Sequence, residues 1–131
     1  MRLAGRFHAY SVGEVRALLL GLTAQNVRQL RRGVPPISKA LQPRARDGER
    51  EVRYIRRDED ETWWSIRDIW RRGGGDCEDL AAAVAAELQV QGINARADLY
   101  KVRPGLYHAI VKVRGMKGYL DPSKWGGMGE A

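Results

Sequence analysis

Gly73-Gly74-Gly75-Asp76-Cys77-Glu78-Asp79-Leu80-Ala81-Ala82-Ala83 is the stretch that decides how this chain is read. Three glycines, where a helix does not persist, run directly into a strongly helical Ala/Leu/Glu sequence. Cys77, the only cysteine of the chain, therefore falls at the first turn of a helix. The unpaired N–H groups and the positive dipole end of such a turn favour a thiolate over a thiol. The helix is predicted to run to about Gln91 and to stop at Gly92. Cys77, Leu80, Ala81, Val84 and Leu88 fall on one of its faces, so the thiol lies on the edge that packs.

Three extended runs follow the helix: Ala95 to Val102, Leu106 to Val113, and Tyr119 to Asp121. Pro104-Gly105 and Arg114-Gly115 mark the turns between them, which gives an antiparallel meander for the Cys77 helix to pack on. If Arg114-Gly115 is a two-residue hairpin turn, Val113 opposes Met116, Ile110 opposes Tyr119 and His108 opposes Asp121. Opposed residues share a face and lie close enough to hydrogen-bond. A wider turn around Met116-Lys117-Gly118 makes Asp121 a diagonal neighbour of His108, still within reach. Either register supplies the parts of a thiol-based catalytic triad. Cys77 is the candidate nucleophile, His108 the base that takes its proton, and Asp121 the acid that orients the imidazole. The backbone N–H of Cys77 is the natural oxyanion donor. A lone cysteine in an Ala-rich helix is ordinarily a small core residue; the conjunction with a strand histidine and an opposed aspartate is what singles this one out.

Upstream, Arg6 to Ser11 reads as a short strand or an extended arm. Ser11 followed by Glu14 forms a capping box. The helix it opens carries Val15, Leu18, Leu19, Leu22, Val27 and Leu30 and should end near Gly33, ahead of Pro35-Pro36. Residues 33–50 mix Pro, Gly and charge and read as a long surface loop or extended arm. Glu51 to Arg57 alternates like a strand at a sheet edge. Trp63, Trp64, Ile66, Ile69 and Trp70 read as core aromatics and aliphatics, the last three on one helical face, walling the ground beneath Cys77. Asp58 to Glu61 is a solvated acidic turn; adjacent carboxylates repel without a fixed cage, so no metal is expected there. No cofactor is implied.

The 131 residues suit one domain with one core. One cysteine excludes an internal disulfide. No apolar run approaches a membrane span, and the N-terminus lacks an apolar h-region, so a cytoplasmic location is the expectation. Net charge is +7, from 23 Lys and Arg against 16 Asp and Glu. The surplus is dispersed, densest over residues 28–57, and is not interleaved with enough aromatics for a nucleic-acid platform. It fits solubility, or docking of segment 28–57 to an acidic protein partner through its sparse apolar residues Val34, Ile37 and Leu41.

The quoted elements resemble the transglutaminase-like superfamily of papain-fold enzymes, in the form of the bacterial transglutaminase-like cysteine proteinases. The likeness spans Arg56 to Ser123. It rests on Trp63-Trp64-Ser65-Ile66-Arg67-Asp68, Arg72-Gly73-Gly74-Gly75-Asp76-Cys77-Glu78-Asp79-Leu80-Ala81, Gln91-Gly92-Ile93-Asn94-Ala95-Arg96, Tyr107-His108-Ala109-Ile110 and Leu120-Asp121-Pro122-Ser123. Small versions without export signals occur among tailed-phage and prophage proteins. The resemblance implies an α+β fold with a papain-like core, its Cys-bearing helix packed on a small antiparallel sheet. Residues 1–57 would form a basic helical and extended part and residues 58–131 the catalytic core of one domain. It also implies a cysteine peptidase or amidase that acts on a protein or peptide amide through a thioester, with Cys77, His108 and Asp121 as nucleophile, base and orienting acid. The alternative is a phage head or tail assembly protein, resident in the virion, that uses the same fold as a binding module.

Overall fold

A computed structural model describes residues 2–3, 6–7, 10–56 and 62–130, with 2–3 and 6–7 described in their backbone alone. The acidic turn read over 58–61 lies outside the described residues. The order of elements is β1 (Arg2–Leu3), β2 (Arg6–Phe7), α1 (Val12–Arg31), β3 (Arg53–Tyr54), α2 (Ile66–Arg72), β4 (Gly74–Gly75), α3 (Cys77–Val90), β5 (Ala95–Arg103), β6 (Leu106–Val113) and α4 (Pro122–Trp125). The fold is mixed α and β: among the described residues, four helices with a four-stranded sheet, β2-β1-β6-β5, and a two-stranded one, β3-β4. Among the described residues no helix is long and apolar enough to cross a membrane.

Helix α1 begins where its capping box says it should. Ser11 Oγ accepts from the Glu14 N–H at 3.2 Å, and Glu14 returns the bond to the Ser11 N–H at 3.1 Å. Its buried face is rotated from the one the apolar stripe predicts. Leu18 is 42% exposed, while Val15, Leu19, Leu22, Thr23 and Asn26 are buried. The rotation turns polar side chains of α1 toward α2, whose first N–H groups have no intrahelical acceptors. Asn26 Oδ1 accepts from Ile66 N–H at 2.8 Å and Gln29 Oε1 from Arg67 N–H at 2.9 Å, so α1 caps α2 across the fold.

Helix α3 is the centre of the molecule, buried on every side from Cys77 to Glu87. Leu80, Ala81 and Val84 share one core with Val15 and Leu19 of α1 and with Ala95, Ala97, Leu99, Ala109 and Val111 of β5 and β6. Small side chains on both surfaces suit a close approach of helix and sheet. The antiparallel β5–β6 ladder pairs Ala97 with Val111, Leu99 with Ala109 and Tyr100 with His108. The sheet is not wholly antiparallel as expected, because β1 joins β6 in parallel.

Two upstream readings are corrected. Residues 33–50 are not an open arm: Ile37 and Leu41 are fully buried in the same core as α3, together with Val52. The segment is fastened by Glu87 of α3, whose carboxylate accepts from the Ile37 N–H, the Ser38 N–H at 3.0 Å and the Ser38 hydroxyl. Burial pushes the Glu87 carboxyl above its ordinary value, against the hydrogen bonds from Ser38 and Ile37 that favour the charged form. Within the expected edge strand of 51–57, only Arg53–Tyr54 form a strand among the described residues. They pair in parallel with Gly74–Gly75, apart from the main sheet.

Candidate active site

The Gly73-Gly74-Gly75 run positions the start of α3, and each glycine has its own reason. Gly73 takes a positive φ of 79° to close α2, a conformation other residues resist. A Cβ on Gly74 would collide with the Arg53 carbonyl and sit 2.7 Å from Ile55 Cδ1. A Cβ on Gly75 would sit 2.8 Å from the Asp79 Cβ. The glycines thus let β4 lie flush against β3 and against the first turn of α3. Asp79 completes the junction. Its carboxylate accepts from the Asp76 N–H at 3.1 Å and from the Trp64 N–H at 2.8 Å. One side chain therefore closes the helix start and ties the Trp64 segment over it. Trp64 is buried in the core that contains Cys77, and Arg72 lies over its ring at 4.7 Å.

Cys77 is the first residue of α3, as the glycine-to-alanine switch predicts, and has no exposed surface. Its thiol donates to Glu78 Oε2 at 3.4 Å. The sequence alone assigns Glu78 no role, because its burial follows from packing around the helix start and not from any local pattern.

His108 and Asp121 are brought together. His108 Nε2 lies 2.9 Å from Asp121 Oδ1, with both side chains close to nine-tenths buried. The route is the wider of the two registers. Val111 and Leu120 exchange both backbone hydrogen bonds at 2.9 Å, so Asp121 opposes Ile110 and reaches His108 diagonally. With the Nε2 proton donated to the carboxylate, Nδ1 is the ring atom left to accept a proton.

Strand parity sets which face these residues share. Ala109 and Val111 join the core around α3, and His108 and Ile110 alternate with them, on the surface shared with Tyr100 across the ladder. The structure brings His108 and Asp121 together, and Cys77 is fully buried with its thiol donating to Glu78 Oε2. His108 and Asp121 line an open cleft of about 790 Å³. Tyr54 comes to it from β3 beside Gly75, Arg56 from the chain just after β3, Tyr100 and Arg103 from β5, and Lys124 from α4. Tyr100 and Tyr119 pack ring to ring, 5.1 Å between centroids, at its side. Among the described residues no group of His, Cys, Asp and Glu is arranged to hold a metal ion. Comparison with protein-family models, with curated proteins and with solved structures finds no match for this chain.

Proposed function

We propose that this chain is a transglutaminase-like cysteine peptidase or amidase with a papain-like core, acting on a protein or peptide amide. The observation that carries the reading is the 2.9 Å His108–Asp121 pair, held by strand register on the wall of a cleft. The placement of Cys77 at the first residue of a helix adds to it, since the dipole end there stabilises a thiolate. In this mechanism the Cys77 proton passes to His108 Nδ1 and the sulfur attacks the amide carbonyl carbon. The carbonyl π pair moves to oxygen as the C–S bond forms. Collapse breaks the C–N bond, and the imidazolium gives its proton to the departing amine. Water then attacks the thioester, with His108 taking the water proton and returning it to sulfur. An amine as acceptor would give transamidation by the same steps; a small domain has little surface to exclude water, which favours hydrolysis. Asp121 fixes the ring and stabilises its charged form.

A second reading is favoured by a different observation: Cys77 is fully buried and its thiol is bonded to a carboxylate. On that reading the protein is a non-catalytic binding module, such as an assembly component of a tailed phage, and the cysteine is a core residue. One experiment separates the two. The native protein is treated with a thiol-reactive peptide-amide probe near neutral pH, with His108→Ala as control. The enzyme reading expects rapid modification of Cys77 that falls by about 10²-fold or more in the control. Slow modification, equal in both proteins, favours the binding module.

A further inference from the structure

We infer that the His108–Asp121 cleft takes an acidic peptide segment, one with Asp or Glu side chains flanking the bound amide. The inference rests on the reading of this cleft as the substrate site and names what that site selects.

The cleft carries three cationic side chains, Arg56, Arg103 and Lys124, around one carboxylate, Asp121. That carboxylate already accepts the hydrogen bond of His108. Elsewhere the basic surplus is partly neutralised at short range. Arg16 and Arg96 meet Asp98, Arg44 meets Asp47, Arg50 meets Glu130 and Arg53 meets Glu49. Arg103 and Lys124 have no carboxylate partner among the described residues. Two outward cations thus flank the His–Asp pair, one from the end of β5 and one from α4. A guanidinium and an ammonium so placed bind carboxylates through charge-assisted hydrogen bonds.

The remaining lining is aromatic and apolar, with Tyr100 46% and Val102 53% exposed beside Arg103. Such a wall packs against the backbone and aliphatic stems of a peptide while the cations take its carboxylates. A cleft of about 790 Å³ holds a few extended residues. Its cations are three, few for following a polynucleotide backbone. These features favour an acidic peptide over nucleic acid.

The test is binding to the 131-residue chain by fluorescence anisotropy. The probes are a short glutamate-rich peptide, the same peptide with glutamines, and single-stranded oligothymidylate. The glutamate peptide should bind about tenfold tighter than the glutamine one at low salt, and the gap should shrink as salt rises. The double variant Arg103→Gln/Lys124→Gln should lose most of that preference. The charge-matched double variant Arg114→Gln/Lys117→Gln, in the turn after β6 and outside the cleft, should keep it. Equal affinity for the two peptides, equal loss in both double variants, or tighter binding of the oligonucleotide overturns the inference. Binding is read without turnover, so a positive result alongside an unreactive Cys77 upholds the acidic-peptide site and rejects only the amidase.

Discussion

At the scale of single residues, the Gly-Asp-Cys-Glu-Asp element shapes this structure as much through its carboxylates as through its thiol. Asp79 accepts two buried backbone N–H groups, those of Trp64 and Asp76. Asp79→Ala leaves both without that acceptor and should destabilise the fold by about 2–5 kcal/mol, read from urea unfolding. Asp79→Asn keeps a carbonyl acceptor and should cost less. Gly74→Ala drives a methyl into the β3 backbone and should cost about 1–3 kcal/mol by the same measurement. Asp98 gives a pH signature. Burial alone would raise its carboxyl, but the Arg16 and Leu99 N–H hydrogen bonds and the charges of Arg16 and Lys112 outweigh this and hold it at about 2. Its folded value lies below the unfolded one of about 3.9, so its stabilisation is present above pH ~4 and is lost as pH falls toward 2. Melting temperature against pH should therefore drop more steeply over that interval in the native protein than in Asp98→Asn. The His108–Asp121 pair was legible in the sequence because strand parity is arithmetic: either turn length keeps the two within reach. The partners of Cys77 and Asp79 were not, because Glu78 is buried by packing and Trp64 reaches Asp79 from fifteen residues away.

At the scale of elements, sequence legibility followed the strength of local signals. The capping box at Ser11–Glu14 and the glycine-to-alanine switch at Cys77 set the starts of α1 and α3 correctly. Strands β1 to β4 are two residues each, too short to show any period, and they form only because neighbouring backbone lies alongside. Residues 33–50 misled for a physical reason. Their prolines and charges resemble an open arm, while the two residues that fasten them, Ile37 and Leu41, are sparse, and the anchor Glu87 lies 50 residues away from Ile37. That anchor makes a prediction. Glu87→Ala removes the acceptor for the Ile37 and Ser38 N–H groups, so limited proteolysis should cut within 33–50 faster in the variant while α3 stays resistant. Glu87→Gln, which keeps an acceptor oxygen, should behave more like the native protein. Resistance of 33–50 in Glu87→Ala equal to the native chain would show that apolar burial alone holds the segment.

At the scale of the whole molecule, the basic N-terminal part and the part that carries Cys77 share one interior. Val15, Leu19, Ile37, Leu41 and Val52 from the first pack with Ile66, Leu80, Val84 and Val111 from the second. Tryptophan fluorescence and far-ultraviolet dichroism should therefore report one coincident urea transition. A fragment of residues 58–131 should lack cooperative unfolding, because it exposes the face of α3 that α1 covers. Separate transitions, or a folded fragment, would divide the chain into two units. The burial of the sole cysteine has a last consequence. If Cys77 is a core residue and not a nucleophile, a small neutral disulfide reagent reaches the sulfur only when the start of α3 opens, so its rate reports how often that opening occurs under native conditions. A rate insensitive to dilute urea marks a local fluctuation of the glycine-flanked turn, and a rate rising as steeply as global unfolding marks opening of the entire core. The chain thus carries a built-in clock for the breathing of its central helix, with no label to be engineered.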